Sequence, residues 1–366
     1  MSRPTGRPVI KLRSVHNSST SAEPQHSARI IAISSGKGGV GKSSITLNLA
    51  IELVRLKQRV CIFDADTNLA NINIMIGLSP QFTLQDVLTG AQKLQDIILQ
   101  GPGGVHIVPA ASGILELVEL DQTQRQQLLD SLRELEQQFD YILLDTAAGI
   151  SESVLGFLQA ASEIIITITS EPTSLTDSFS LLKVMRQRGF DRPFQVVVNK
   201  VDSHRQAKEI LLRFSGAVRK YLGLKIIRPG YVLEDRNVPR SVMQQMPCTM
   251  LYPQSPASRC LRNFALRINQ REPLEKASLS DYLDEQLGWV EKQQALTAAE
   301  KPDFINELLQ QIDSAPFDQA EQLIAQLNRA WLKRIDAQQA PAQYLESEGF
   351  RAAIRFAGKL SCSDRL

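Results

Sequence analysis

No C-x-x-C pair occurs in this sequence, and its four cysteines, Cys61, Cys248, Cys260 and Cys362, stand far apart. A zinc ribbon or an iron–sulfur cluster on closely spaced cysteines is therefore excluded, and the four read as buried or incidental thiols. No apolar run approaches the roughly 18 residues that a transmembrane helix needs. The basic N-terminus also lacks the apolar stretch of a signal peptide, so a cytoplasmic protein is expected. Charge of one sign is missing too: 41 Lys and Arg stand against 39 Asp and Glu, a net +2. Without a dominant positive field, specific DNA binding is not expected.

What is present suffices for a large core. With 366 residues, 43% hydrophobic and 22% charged, the chain is expected to form one big domain plus an appendage. Residues 1–29 carry Arg3, Arg7, Lys11, Arg13 and Arg29 against Glu23, among many Ser, Pro and Thr, so residues 1–28 read as a disordered basic arm. Residues 271–366 hold 11 basic against 16 acidic side chains and are rich in glutamine, which predicts a separate helical extension. Residues 29–270 are the predicted main domain.

That domain opens on a β-branched run, Ile30-Ile31-Ala32-Ile33, which breaks into Gly36-Lys37-Gly38-Gly39-Val40-Gly41-Lys42-Ser43 and then Ser44. The pattern is G-x-x-x-x-G-K-[ST], in which glycines let backbone N–H groups face phosphate oxygens. Lys42 would reach the β/γ-phosphates and Ser43 would hold Mg²⁺. A chance glycine-rich loop would not need the strand before it or the helical spacing Ile45, Leu49, Leu53 after it.

Strands and helices then alternate. Val60-Cys61-Ile62-Phe63, Val105-His106-Ile107-Val108, Tyr141-Ile142-Leu143-Leu144, Ile164–Ile168 and Phe194–Val198 are continuously apolar, as in a parallel sheet covered on both faces. A short helix over Leu84–Leu88 and a longer one from about Gln122 to Phe139 lie between them. The order predicts a doubly wound α/β fold with a mainly parallel sheet, binding ligands at the carboxyl ends of its strands. Asp64, Asp66 and Asp145 fall at such ends. Carboxylates there can ligate Mg²⁺, directly or through water, or orient an attacking water; each taken singly could also be a helix cap or turn former. Asn199-Lys200-Val201-Asp202 closes the last clear apolar strand and reads as N-K-x-D, a guanine-reading pattern that Asp202 keeps open.

The loop form K-G-G-V-G-K-S, with its second lysine, resembles the deviant Walker A of the MinD/ParA ATPases. The resemblance implies a P-loop NTPase of the SIMIBI type that binds ATP and Mg²⁺ and forms an ATP-dependent homodimer, with Lys37 crossing to the partner's nucleotide. It implies that Lys37, Lys42, Asp66 and Asp145 are catalytic, with Asp66 in switch I orienting the hydrolytic water. Asp145, in Asp145-Thr146-Ala147-Ala148-Gly149, reaches Mg²⁺ and opens switch II, so the metal set is Ser43, Asp66 and Asp145. The nucleotide set is Gly36 to Ser44 with Asn199 on adenine and Asp235 beside the base. Two departures stand out: Asn68 replaces a glycine in switch I, and Leu233 replaces a proline in Gly230–Asp235.

Three further stretches, Gly101–Gly113, Asp145–Ser151 and Ser170–Asp177, resemble the flagellar number-control branch called FlhG or FleN. The function implied is a slowly hydrolysing ATP switch governing flagellar number or placement. The partners implied are the flagellar GTPase FlhF, a flagellar transcriptional activator or a switch-complex protein. A ParA-like ATPase positioning DNA, a pilus or a chemoreceptor array is the alternative. The D-Q-A-x-x-L-R segment of the branch is not found in residues 1–29. In the extension, Phe304, Leu308 and Ile312, then Phe317, Ala320, Ile324, Leu327, Trp331 and Ile335, predict helices with one apolar face, for a bundle or for partner docking. Phe350, Ile354, Phe356 and Leu360 flanked by Arg351, Arg355 and Lys359 fit either a helix docked on its own domain or one lying peripherally on the inner membrane or cell pole.

Overall fold

The computed structural model describes residues 27–66, 71–88, 90–109, 122–272 and 277–285. The basic arm up to residue 26, Asn68, residues 110–113 of the first branch-like stretch and the amphipathic segments from Phe304 to Leu360 lie outside the described residues.

Eight strands form one sheet: β1 (Arg29–Ser35), β2 (Val60–Ala65), β3 (Leu99–Gln100), β4 (His106–Val108), β5 (Tyr141–Ala148), β6 (Glu163–Ile168), β7 (Phe194–Val201) and β8 (Ile226–Leu233). The helices between and after them are α1 (Lys42–Arg55), α2 (Asn71–Ile76), α3 (Leu84–Leu88), α4 (Leu94–Ile97), α5 (Gln122–Gln138), α6 (Glu152–Ala160), α7 (Pro172–Gln187), α8 (His204–Leu222), α9 (Asn237–Met243), α10 (Cys248–Leu251) and α11 (Pro256–Asn269). The sheet order is β3-β4-β2-β5-β1-β6-β7-β8. All neighbours are parallel except β3 and β4. The doubly wound, mainly parallel α/β architecture is thus the observed one.

Alternation within β1 explains why the strand is apolar throughout. Ile30 and Ala32 join the core beneath α5 to α8, whereas Ile31 and Ile33 join the core beneath α1 and α11. Both faces are covered, so no polar position is tolerated until the strand ends. From β1 the chain winds one way to β2 and β4 and the other way to β6, β7 and β8, with β5 inserted beside β1. The carboxyl ends of β1 and β5 therefore sit at the switch point, where a crevice opens for ligand.

Arg29, the first residue of β1, anchors the opposite, amino end of the strands. It is buried, and its Nε donates to Glu163 Oε1 at 2.5 Å while Nη1 donates to the carbonyls of Ile268 at 2.7 Å and Arg271 at 2.8 Å. Packing against the core continues past residue 270 within the described stretch 277–285. Leu279 and Leu283 are buried in the α5–α8 core, Ser280 N donates to Glu136 Oε1 and Arg125 pairs with Asp284. Each buried leucine adds on the order of 1.5–3 kcal/mol of burial, which explains why the fold recruits this stretch despite its acidic composition.

Candidate functional site

The loop between β1 and α1 is shaped by two left-handed glycines, Gly39 at φ 74° and Gly41 at φ 94°, conformations that side chains with a Cβ disfavour. Gly36 has a different reason to be glycine: a Cβ there would meet the carbonyl carbon of Asp177 at 2.1 Å, so the loop lies against α7. Gly36 N donates to Ser178 Oγ and Ser35 Oγ donates to the Lys37 carbonyl. Gly41 caps α1 without any side-chain hydrogen bond, and no acidic residue occupies the first turn. The first amides of a 14-residue helix are thereby left for an anion, favoured by the helix dipole.

Lys42 and Ser43 are buried in that first turn. Across from them, Asp64 of β2 stands in register with Asp145 of β5, so two buried carboxylates face one another at adjacent strand ends. Burial, then the charge of Asp145, raises Asp64 to about 8. Burial also raises Asp145, to about 6, against the pull of the Lys42 charge and of hydrogen bonds from Ser43 and Thr46. Thr46 Oγ1 donates to Asp145 Oδ1 at 3.0 Å, and Asp66 N donates to Asp64 Oδ1 at 3.2 Å.

The second carboxylate oxygens of Asp64 and Asp145 and the hydroxyls of Ser34 and Thr167 are buried with no hydrogen-bond partner among the described residues. Unpaired carboxyl oxygens in the interior are costly. They fit a divalent cation beside Lys42. A sparse set of protein oxygens is enough for Mg²⁺, an ion usually completed by water and substrate phosphates.

The structure brings Gly36 to Ser44, Asp66 and Asp145 together at this end of the sheet. Val40 is buried, and its carbonyl accepts from Asn199 Nδ2 at 2.8 Å. Gly38 faces open space. Lys37 Nζ is turned to its own chain, donating to Glu171 Oε2 at 2.5 Å and Thr173 Oγ1 at 2.8 Å. Asp235 is engaged elsewhere: Oδ1 accepts from Asn237 N and Oδ2 from Ala257 N. Burial alone would raise its carboxyl, but the hydrogen bonds from Asn237, Ser255 and Ala257 outweigh that and hold it below the usual range. Neither of these hydrogen bonds reaches the phosphate loop.

Sequence reasoning gave no role to Thr46, Glu171, Thr173 or Lys200. Thr46 lies one helical turn after Lys42, a spacing that could have flagged it. Glu171 and Thr173 sit in the Ser170–Asp177 stretch but carry no pattern that pairs them with a lysine 134 residues away.

A family described as "AAA domain" matches residues 28–188. The chain is 36% identical over 245 residues to the antiactivator FleN of Pseudomonas aeruginosa, covering 67% of this chain and 87% of that protein. It is 36% identical over 180 residues to the flagellum site-determining protein YlxH of Helicobacter pylori, covering 47% and 59%. Among solved structures, the septum site-determining protein MinD complexed with Mg-ADP from Pyrococcus horikoshii superposes with a TM-score of 0.53 at 25% identity, covering 66% and 96%.

Proposed function

The chain belongs to the MinD/ParA-type ATPases, in the FlhG/FleN branch, and on that premise we propose that it is an ATP-governed dimerisation switch setting flagellar number or placement. It is an ATPase that uses Mg²⁺. The observation that carries the switch is the buried Lys42 at the start of α1 beside the register-matched pair Asp64 and Asp145. The names of the two flagellar relatives support the cellular role.

In this reading the amides from Gly36 to Ser44 receive the phosphates and Lys42 balances their charge. Ser43, Asp66 and Asp145 would hold Mg²⁺, which supplies charge neutralisation on the phosphates. Asp66 orients the hydrolytic water, and Asp145 relays the state of the site along β5 into Gly149–Ile150. Asn199 uses one amide hydrogen on Val40, so its second is available for adenine; Asp235 shapes the loop beside the base through Asn237 and Ala257. Lys37 leaves Glu171 and Thr173 to reach the nucleotide of a second copy. An exposed ion pair is weak enough to be exchanged in this way.

Partners in this reading are a second copy, then a flagellar transcriptional activator, the GTPase FlhF or a switch-complex protein. The name "antiactivator" carried by one relative favours the activator. No helix among the described residues is long and apolar enough to cross a membrane. Attachment to the inner membrane in this reading is peripheral, through the basic and apolar sequence from Phe350 to Leu360. Deleting the gene and counting flagella per cell tests the role. A changed number or position is expected; an unchanged one overturns flagellar control, leaves the ATPase, and turns attention to another cargo.

A further inference from the structure

Three non-glycine residues among the described ones have a left-handed backbone: Lys57 at φ 66°, Lys200 at φ 55° and Gln245 at φ 52°. Two have an ordinary reason. Lys57 and Gln245 each directly follow the C-cap of a helix, α1 and α9, where chains commonly turn left-handed. Lys200 lies instead inside a strand, β7. The β7–β8 register shifts between Val198 and Val201, so Lys200 belongs to a β-bulge, a device that re-aims a side chain beside a site.

The bulge aims Lys200 at the phosphate loop. Its Nζ donates to the Gly39 carbonyl at 2.9 Å, while its own N–H donates to Asn199 Oδ1 at 2.9 Å and Asn199 Nδ2 donates to the Val40 carbonyl at 2.8 Å. Two consecutive carbonyls of the loop are thus held by two consecutive residues of one bulge. Carbonyls fixed in this way cannot swing into the cradle, and the amide hydrogens stay free for an anion. We propose that Lys200 is a positioning residue for ATP binding, whose ammonium holds the Gly39 carbonyl and with it the left-handed Gly39–Gly41 turn that receives the phosphates. Strain kept at such a position, with no helix end to explain it, points to function.

The proposal rests on reading Gly36–Ser43 as the ATP site. The test compares wild type with Lys200→Met, Lys200→Arg and Lys200→Gly in the full chain, by equilibrium binding of a fluorescent ATP analogue, by steady-state kinetics and by thermal melting without nucleotide. Lys200→Met and Lys200→Gly are expected to weaken ATP binding about five- to tenfold, the upper part of the range of one ordinary hydrogen bond, and to move KM more than kcat. Lys200→Arg keeps a donor and recovers most of the affinity. Lys200→Gly, relieved of left-handed strain, melts no lower than wild type. A merely structural lysine would instead lower the melting temperature and leave affinity alone. Binding by Lys200→Met and Lys200→Gly within about twofold of a wild type that binds ATP would overturn the proposal; a wild type that fails to bind ATP would overturn the site reading and this proposal with it.

Discussion

Replacing Asp64 with asparagine stabilises the nucleotide-free protein and flattens its pH dependence. Asp64 is fully buried opposite Asp145, and burial followed by that neighbour's charge raises its carboxyl to about 8. In the unfolded chain the same group titrates at about 3.9. The folded state therefore keeps a proton that the unfolded state gives up, and stability falls as pH rises through this interval. At 1.36 kcal/mol per unit of full proton difference, and with half-titration at about 8, the group removes about 2 kcal/mol between pH 6 and pH 8. Asp145, raised to about 6, acts with the same sign, mostly below that window. His106, lowered by burial, acts with the opposite sign, below about 6.5. Asp145 titrates mostly below this window and His106 stands apart from the substitution, so between pH 6 and pH 8 the difference between the two proteins reports chiefly on Asp64. Urea unfolding with a metal chelator at pH 6, 7 and 8 is the assay. The Asp64→Asn protein should gain about 2 kcal/mol more over wild type at pH 8 than at pH 6. Parallel curves, or a wild type whose stability is level or rising from pH 6 to pH 8, would refute the electrostatic account of this strand pair.

Two other substitutions probe the ends of the sheet. Gly41→Ala forces a Cβ to 2.4 Å from Asn199 Nδ2 at φ 94°, and ATP binding by titration should fall roughly tenfold or more; near-normal binding would mean the loop tolerates another path. Arg29→Ala leaves Glu163 buried without its guanidinium and frees the Ile268 and Arg271 carbonyls, so denaturant unfolding should show a loss of about 3–5 kcal/mol. A loss below about 1 kcal/mol would place the anchoring of α11 elsewhere.

Much of this architecture is legible in the sequence because the sheet is parallel and doubly covered. Strands such as Ile164–Ile168 have no polar face to disguise them, and the phosphate loop is bounded by a strand and a helix that each declare themselves. β8 was harder to see, since Arg228-Pro229-Gly230 interrupts its apolar run; it pairs only with β7 in the sheet order, an edge position where a missing N–H is tolerated. The recruitment of Leu279 and Leu283 was likewise hidden, because two leucines in an acidic stretch do not say which surface they cover. At the site, residue type and strand position pointed to Lys42, Ser43, Asp66 and Asp145 as candidates. The partners that hold the loop did not show, because Lys200 acts through a bulge and Lys37 through a glutamate 134 residues away. Such contacts depend on backbone irregularity and on topology, neither of which a one-dimensional pattern encodes.

In the proposed switch, bound ATP joins two copies until Asp66 directs its hydrolysis. Size-exclusion chromatography with light scattering on Asp66→Ala, run with Mg²⁺ and either ATP or ADP, tests it most directly. A species of twice the monomer mass with ATP, and monomer with ADP, is the predicted result; a monomer under both conditions would contradict the account.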